Sequence, residues 1–202
     1  GRVVGYHYGY SPKSYLLVNN GKGQFSDRTQ ALAPDLREAG MLTEAIWADI
    51  DRDGDQDLTV VGDWMPIKSF ENRGGKLSLI ENGLEEFTGF WGGLTAGDFD
   101  KDGDLDCYLL NHAVHNTRSY DRVNTRMLKD NEAGDYLYRN DGGKFKDISA
   151  ESGIYQAAMG YGLGISVADL NNDGWLDIYV SNDFHEDDYY YINQKDGTYK
   201  EG

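Results

Sequence analysis

Asp49-Ile50-Asp51-Arg52-Asp53-Gly54-Asp55-Gln56-Asp57 is followed by Asp98-Phe99-Asp100-Lys101-Asp102-Gly103-Asp104-Leu105-Asp106 and then by Asp169-Leu170-Asn171-Asn172-Asp173-Gly174-Trp175-Leu176-Asp177. All three stretches fit one pattern, D-x-[DN]-x-D-G-x-x-D. Like charges at alternate positions repel, and crowding them into one turn costs stability. A hard divalent cation reverses the sign of that cost. Calcium takes six to eight oxygens at roughly 2.3–2.6 Å in loose geometry, which short Asp and Asn side chains satisfy. Magnesium is smaller and keeps its waters, so an all-protein oxygen cage favours calcium. The glycine at position six lets the backbone turn around the ion.

The pattern assigns the same ligands in each copy. Side chains supply oxygen at positions 1, 3, 5 and 9: Asp49, Asp51, Asp53 and Asp57; Asp98, Asp100, Asp102 and Asp106; Asp169, Asn171, Asp173 and Asp177. The backbone carbonyl of position 7 adds another, from Asp55, Asp104 and Trp175. A tryptophan is tolerated there because only the carbonyl is used. The expectation is three calcium sites. They are not EF-hands, which need a bidentate Glu at position 12; Val60, Leu109 and Val180 stand there.

Short runs rich in β-branched and aromatic residues flank each loop, and such runs bounded by Gly, Asn and Asp predict strands. Ala45–Ala48, Gly93–Gly97 and Leu163–Ala168 precede the loops; Leu58–Gly62, Cys107–Leu110 and Ile178–Ser181 follow them. A second motif, a strand, an Asn/Gly turn and another strand, occurs at Asn19-Asn20-Gly21, Asn72-Arg73-Gly74, Asn140-Asp141-Gly142 and Asn193 to Gly197. This is hairpin chemistry. The two hairpin types alternate, which makes a repeating four-stranded unit.

The predicted fold is therefore all-β, a β-propeller of four-stranded blades. About three and a half blades are expected: a half blade at 1–40, a blade at 41–89, a blade at 90–160 with an insertion at 111–134, and a blade at 161–202. Helical stretches are expected to be short connectors at Thr29–Glu38, Leu84–Phe87 and Ala150–Ile154. Trp47 and Trp91 are expected in the core between blades, and Trp64 on a loop. Tyr6, Tyr8, Tyr10 and Tyr189–Tyr191 are expected mainly to pack blade against blade.

The loops and their flanking strands resemble the FG-GAP/VCBS repeats of integrin-α-like propellers. Gly162-Leu163-Gly164, Asn182-Asp183-Phe184, Tyr191-Ile192-Asn193 and Asp196-Gly197-Thr198-Tyr199 are similar to the ASPIC/UnbV-associated proteins of that group, which include the cartilage acidic proteins. Such propellers usually have seven blades, so the chain is expected to be an excerpt of a longer protein. Closure by a second chain and stacking into a fibre or ring are the alternatives.

Composition narrows the partners. The 202 residues carry Lys+Arg 19 against Asp+Glu 35, a formal net charge of −16. Such a chain repels nucleic acid and anionic lipid. No apolar run reaches the ~18 residues of a membrane-spanning helix. Aromatic residues at 13% argue against global disorder. The single cysteine, Cys107, excludes an internal disulfide framework and is expected to be a packed small side chain. These features point to a non-catalytic, calcium-stabilised module for adhesion, scaffolding, or protein or glycan binding. Loops of this kind fill at about 10⁻⁴–10⁻³ M calcium in extracellular modules, which points outside the cytoplasm: a secreted, cell-surface or periplasmic setting. The rival expectation is a calcium-dependent polysaccharide lyase or glycosidase. Its acid–base or zinc-binding groups would come from His112, His115, His185 and Glu186, beside Asp183, Asp187 and Asp188.

Overall fold

The computed structural model describes residues 4–113, 129–183 and 186–202. His115, His185 and most of the 111–134 insertion lie outside these residues.

Every acidic loop joins two antiparallel strands, as the flanking sequence predicts. The pairs are β3 (Met41–Ala48) with β4 (Asp57–Pro66), β7 (Thr88–Gly97) with β8 (Asp106–Asn111), and β11 (Gly162–Ala168) with β12 (Asp177–Asn182). The Asn/Gly turns close four further hairpins. These are β1 (Leu17–Asn19) with β2 (Phe25–Asp27), β5 (Lys68–Arg73) with β6 (Lys76–Ile80), β9 (Tyr136–Asn140) with β10 (Phe145–Asp147), and β13 (Tyr189–Asn193) with β14 (Tyr199–Glu201). Three acidic-loop hairpins each pair laterally with the Asn/Gly hairpin that follows, giving β3-β4-β5-β6, β7-β8-β9-β10 and β11-β12-β13-β14. The β1–β2 hairpin stands as a two-stranded sheet.

The first two units are not separate sheets, as the sequence predicts them to be. They join edge to edge through β4 and β7, which pair Asp63 with Phe90, Met65 with Gly89 and Pro66 with Thr88. A bulge between Asp63 and Met65 makes this possible. At Trp64 the backbone turns left-handed, with φ 57°, and re-aims the end of β4 towards β7. The Trp91 indole N–H then donates to Met65 O at 2.8 Å.

Units pack face to face. One core joins Ala48, Ile50 and Val61 of the first unit to Trp91, Leu94, Cys107, Leu109 and Tyr138 of the second. The next joins Phe99, Tyr108 and Leu110 to Ile178, Val180, Tyr189 and Tyr191. A third packs Leu58, Val60 and Phe70 against Ala33, Leu36 and Ala39 of the connector after β2. Alternating side chains of each strand thus serve opposite neighbours.

Several expectations change, among them Trp64, expected on a loop, which lies within β4 at its bulge. Trp91 is fully buried, but Trp47 is 50% exposed. It faces a groove of about 320 Å³ lined by Tyr15, Leu17, Leu36, Ala45 and Leu58, between the first unit and the β1–β2 segment with its connector. The expected helix at Thr29–Glu38 divides into α1 (Thr29–Leu32) and a 3₁₀ turn at Pro34–Leu36. Pro34 has no N–H to donate and bars Ala33 from helical geometry. The Leu84–Phe87 stretch forms bends and a turn, because the Glu85 carboxylate accepts the N–H groups of Asn82 and Gly83 instead. Near the expected Ala150–Ile154, α2 (Ser149–Ser152) forms and ends at Gly153, φ 79°. Tyr189 and Tyr191 are buried as packing residues, whereas Tyr6, Tyr8 and Tyr10 are exposed. No described helix is long and apolar enough to cross a membrane.

Candidate metal centres

The acidic loops share one backbone conformation. Position six is left-handed in each, with φ 94° at Gly54, 91° at Gly103 and 87° at Gly174. Position four is left-handed too, at Arg52, Lys101 and Asn172. Non-glycine residues there cost roughly 1–2 kcal/mol each, and only Asn172 is of a type that tolerates it well. The sequence pattern did not reveal this second turn.

Local hydrogen bonds curl the side chains inward. Position three accepts the N–H of position five: Asp53 to Asp51 at 3.1 Å, Asp102 to Asp100 at 3.1 Å and Asp173 to Asn171 at 2.9 Å. Position five accepts the N–H of position seven: Asp55 to Asp53 at 2.9 Å, Asp104 to Asp102 at 2.8 Å and Trp175 to Asp173 at 2.9 Å. In position one, Asp49 accepts from Gly54 and Asp169 from Gly174.

Position nine is buried at the base. Both oxygens of Asp57 accept backbone N–H groups, from Ile50 at 3.0 Å and Asn72 at 2.8 Å. Asp106 does the same with Phe99 and Asn140, and Asp177 with Leu170 and Asn193. The second donor is always the turn Asn of the following hairpin. Its side-chain amide donates back to position eight, as Asn72 to Gln56 O, Asn140 to Leu105 O and Asn193 to Leu176 O. Sequence reasoning missed this clasp. Its signal was the strict alternation of acidic loop and Asn/Gly turn.

Carboxylates of positions one, three and nine converge twice. Asp49, Asp51 and Asp57 place ligand oxygens within 4.8 Å of one another, and so do Asp98, Asp100 and Asp106. Asp49 Oδ1 and Asp98 Oδ1 are buried and accept no hydrogen bond from a described residue. An orphaned anionic oxygen costs free energy unless a cation meets it. Burial pushes Asp106 up to about 7 despite its two N–H donors, and Asp100 and Asp102 add repulsion. Burial likewise raises Asp57 and Asp100. All-oxygen, all-carboxylate donors of this density fit a hard dication such as calcium.

The remaining expected ligands stand differently. Asp53 and Asp102 lie outside the two triads. The side chains of Asp55 and Asp104 turn to the next hairpin, accepting the N–H of Gly74 and Gly142, which leaves the backbone carbonyl as the group available at position seven. In the third loop Asn171 replaces a carboxylate. Asp173 is paired with Lys195 at 3.2 Å and held below the usual carboxylate range by the Trp175 N–H and that lysine. Asp169, Asn171, Asp173, Trp175 and Asp177 therefore keep the loop shape without a carboxylate triad. Cys107 is buried, and burial pushes its thiol up to about 12. His112 packs against the rings of Phe90 and Tyr161, and Glu186 accepts from the Tyr189 hydroxyl at 2.8 Å.

The FG-GAP-like repeat family matches residues 49–109 and 125–180, segments that begin on the first triad and end just after the third loop. No curated protein matches the chain. Among solved structures, an Agrocybe aegerita lectin, described as recognising non-reducing terminal N-acetylglucosamine, aligns at 15% identity and a TM-score of 0.36. The alignment covers 95% of this chain and 60% of the lectin chain. That likeness is too loose to bear on fold or ligand.

Proposed function

This chain belongs to the FG-GAP-like repeat family, and from that premise we propose that it is a non-catalytic, calcium-stabilised run of propeller blades. It works outside the cytoplasm, secreted, at the cell surface or in a periplasm, as a scaffold or adhesive surface for a protein or glycan. The observation that carries the reading is the pair of aspartate triads, each with a buried oxygen lacking a described donor. Asp49, Asp51 and Asp57 would hold one ion and Asp98, Asp100 and Asp106 another, with the Asp55 and Asp104 carbonyls joining them. Asp169, Asn171, Asp173, Asp177 and the Trp175 carbonyl make a third, less acidic site. Calcium supplies positive charge that offsets carboxylate repulsion and ties loop order to folding.

Repeats of this family imply blades. The units at 41–89, 90–160 and 161–202 are the proposed blades, and β1–β2 is the outer half of another. The groove beside Trp47 supports an incomplete stack, since the corresponding faces of the next two units are covered by a neighbour. Further blades of a longer protein, or a second chain, would fill it. Extracellular calcium, at millimolar level, suits sites of about 10⁻⁴–10⁻³ M affinity.

Thermal unfolding with and without calcium tests the reading. A site held at 100 times its Kd stabilises by ~2.7 kcal/mol, so chelation should lower Tm by at least about 5 °C in a chain of this size. Added calcium should restore it, and magnesium should not. An unchanged melt removes the calcium role. Chain-length cleavage of an acidic polysaccharide by the purified protein would overturn the non-catalytic part.

A further inference from the structure

Two sets of contacts run from one acidic loop to the next. The left-handed residue at position four of the first loop, Arg52, reaches the second loop. Its Nε donates to Gly103 O at 3.0 Å and its Nη2 to Asp102 O at 3.1 Å, and Nε lies 2.6 Å from the Asp104 carboxylate. The equivalent residue of the second loop, Lys101, sits over the ring of Trp175 in the third loop, 4.5 Å from its centroid. The turn Asn makes the other set. Asn140 donates its side-chain amide to Ile50 O of the first loop at 2.9 Å, while its own N–H is held by Asp106 of the second. Asn193 repeats this between Phe99 O of the second loop and Asp177 of the third.

Both bridges from the first loop therefore end on the second loop's proposed ligand residues, Asp104 and Asp106. We propose that calcium fills these loops cooperatively, with Arg52 and Asn140 as positioning residues that pass order from the first loop to the second. The proposal rests on the calcium reading above. An ion in the first loop pins Ile50 and Arg52. Pinned, they hold Asp104 and Asp106 in place, so the second ion meets a loop whose ordering cost is already met. The sign is diagnostic. Two dications repel, so electrostatics alone makes the second site weaker. Mechanical linkage predicts the reverse, with couplings in the usual range of about 5- to 150-fold.

Site-resolved calcium titration by NMR tests it, reading the amide signals of Gly54, Gly103 and Gly174, one per loop. In the native chain, Gly54 and Gly103 should shift together with a steep transition. Asp51→Asn, which weakens the first site, should raise the calcium midpoint at Gly103 at least about fivefold. Arg52→Lys keeps the charge but cannot span two carbonyls and a carboxylate. In that background the Asp51→Asn effect on Gly103 should shrink while all loops still respond. Asn140→Ala should act in the same direction but also loosens the fold, so Arg52→Lys is the deciding variant. An unmoved Gly103 midpoint in Asp51→Asn, or a full effect persisting in Arg52→Lys, overturns the coupling and leaves calcium binding intact. Glycine signals that ignore calcium overturn both.

Discussion

Gly54 stands at φ 94° with nothing within 4 Å of where a Cβ would be. A side chain there meets no clash, so any cost of Gly54→Ala is backbone strain alone. That cost should be roughly 1–2 kcal/mol, seen as a lower urea midpoint with an unchanged m-value. Asp135 offers a second test at this scale. It is buried, accepting the Asn111 N–H at 2.8 Å and the Tyr108 hydroxyl at 2.8 Å. Burial pushes it up to about 7, well above the 3.8 of an exposed Asp. The folded state therefore binds the proton more tightly than the unfolded state. This group's contribution is greatest below about pH 4 and is lost as pH rises towards 7. Asp135→Asn should flatten the stability–pH curve between those values, measured by urea unfolding at several pH values. A curve as steep as the native one would remove Asp135 from the account. The same trio recurs as Tyr179, Asn182 and Asp188: the Asp188 carboxylate accepts the Tyr179 hydroxyl and, at 2.8 Å, the Asn182 N–H.

Among the elements, β4 departs most from the repeat. Where β8 and β12 end at Asn111 and Asn182, whose N–H groups bond a carboxylate, the matching position in β4 is Gly62. The strand continues to Pro66 and pairs with β7. Trp91 locks that junction, being fully buried and bonded to Met65 O. Trp91→Ala should cost ~3–5 kcal/mol and, by loosening the seam between the first two units, broaden unfolding. Trp47→Ala, at a half-exposed site, should cost much less. Calorimetry of the two variants makes the comparison, and equal losses would mean that Trp91 has no special part in the seam.

At the scale of the molecule, charge dominates. A net charge of −16 is concentrated in loops that stand side by side at one end of the units, as the Arg52 and Lys101 bridges require. Without calcium, their mutual repulsion should be relieved by salt screening, whose reach falls to about 10 Å at 0.1 M. In chelator, Tm should rise between roughly 10 mM and 200 mM sodium chloride, and with calcium present the rise should be smaller. A salt response of the same size in both conditions would deny that calcium neutralises those charges.

The residues themselves determined the local structure. Aspartates at alternate positions with Gly54, Gly103 and Gly174 set the loops, and Asn with Gly set the hairpins, because both are short-range problems of charge and backbone conformation. Asp49, Asp51 and Asp57, and their equivalents in the second loop, were legible as a convergent set for that reason. Only the tertiary structure decided what each clasp touches across the chain. Asn140 finds Ile50, Arg52 finds Asp104, and Trp47 lies open while Trp91 is enclosed. These depend on which face each unit turns to its neighbour, and local sequence preference does not carry that information.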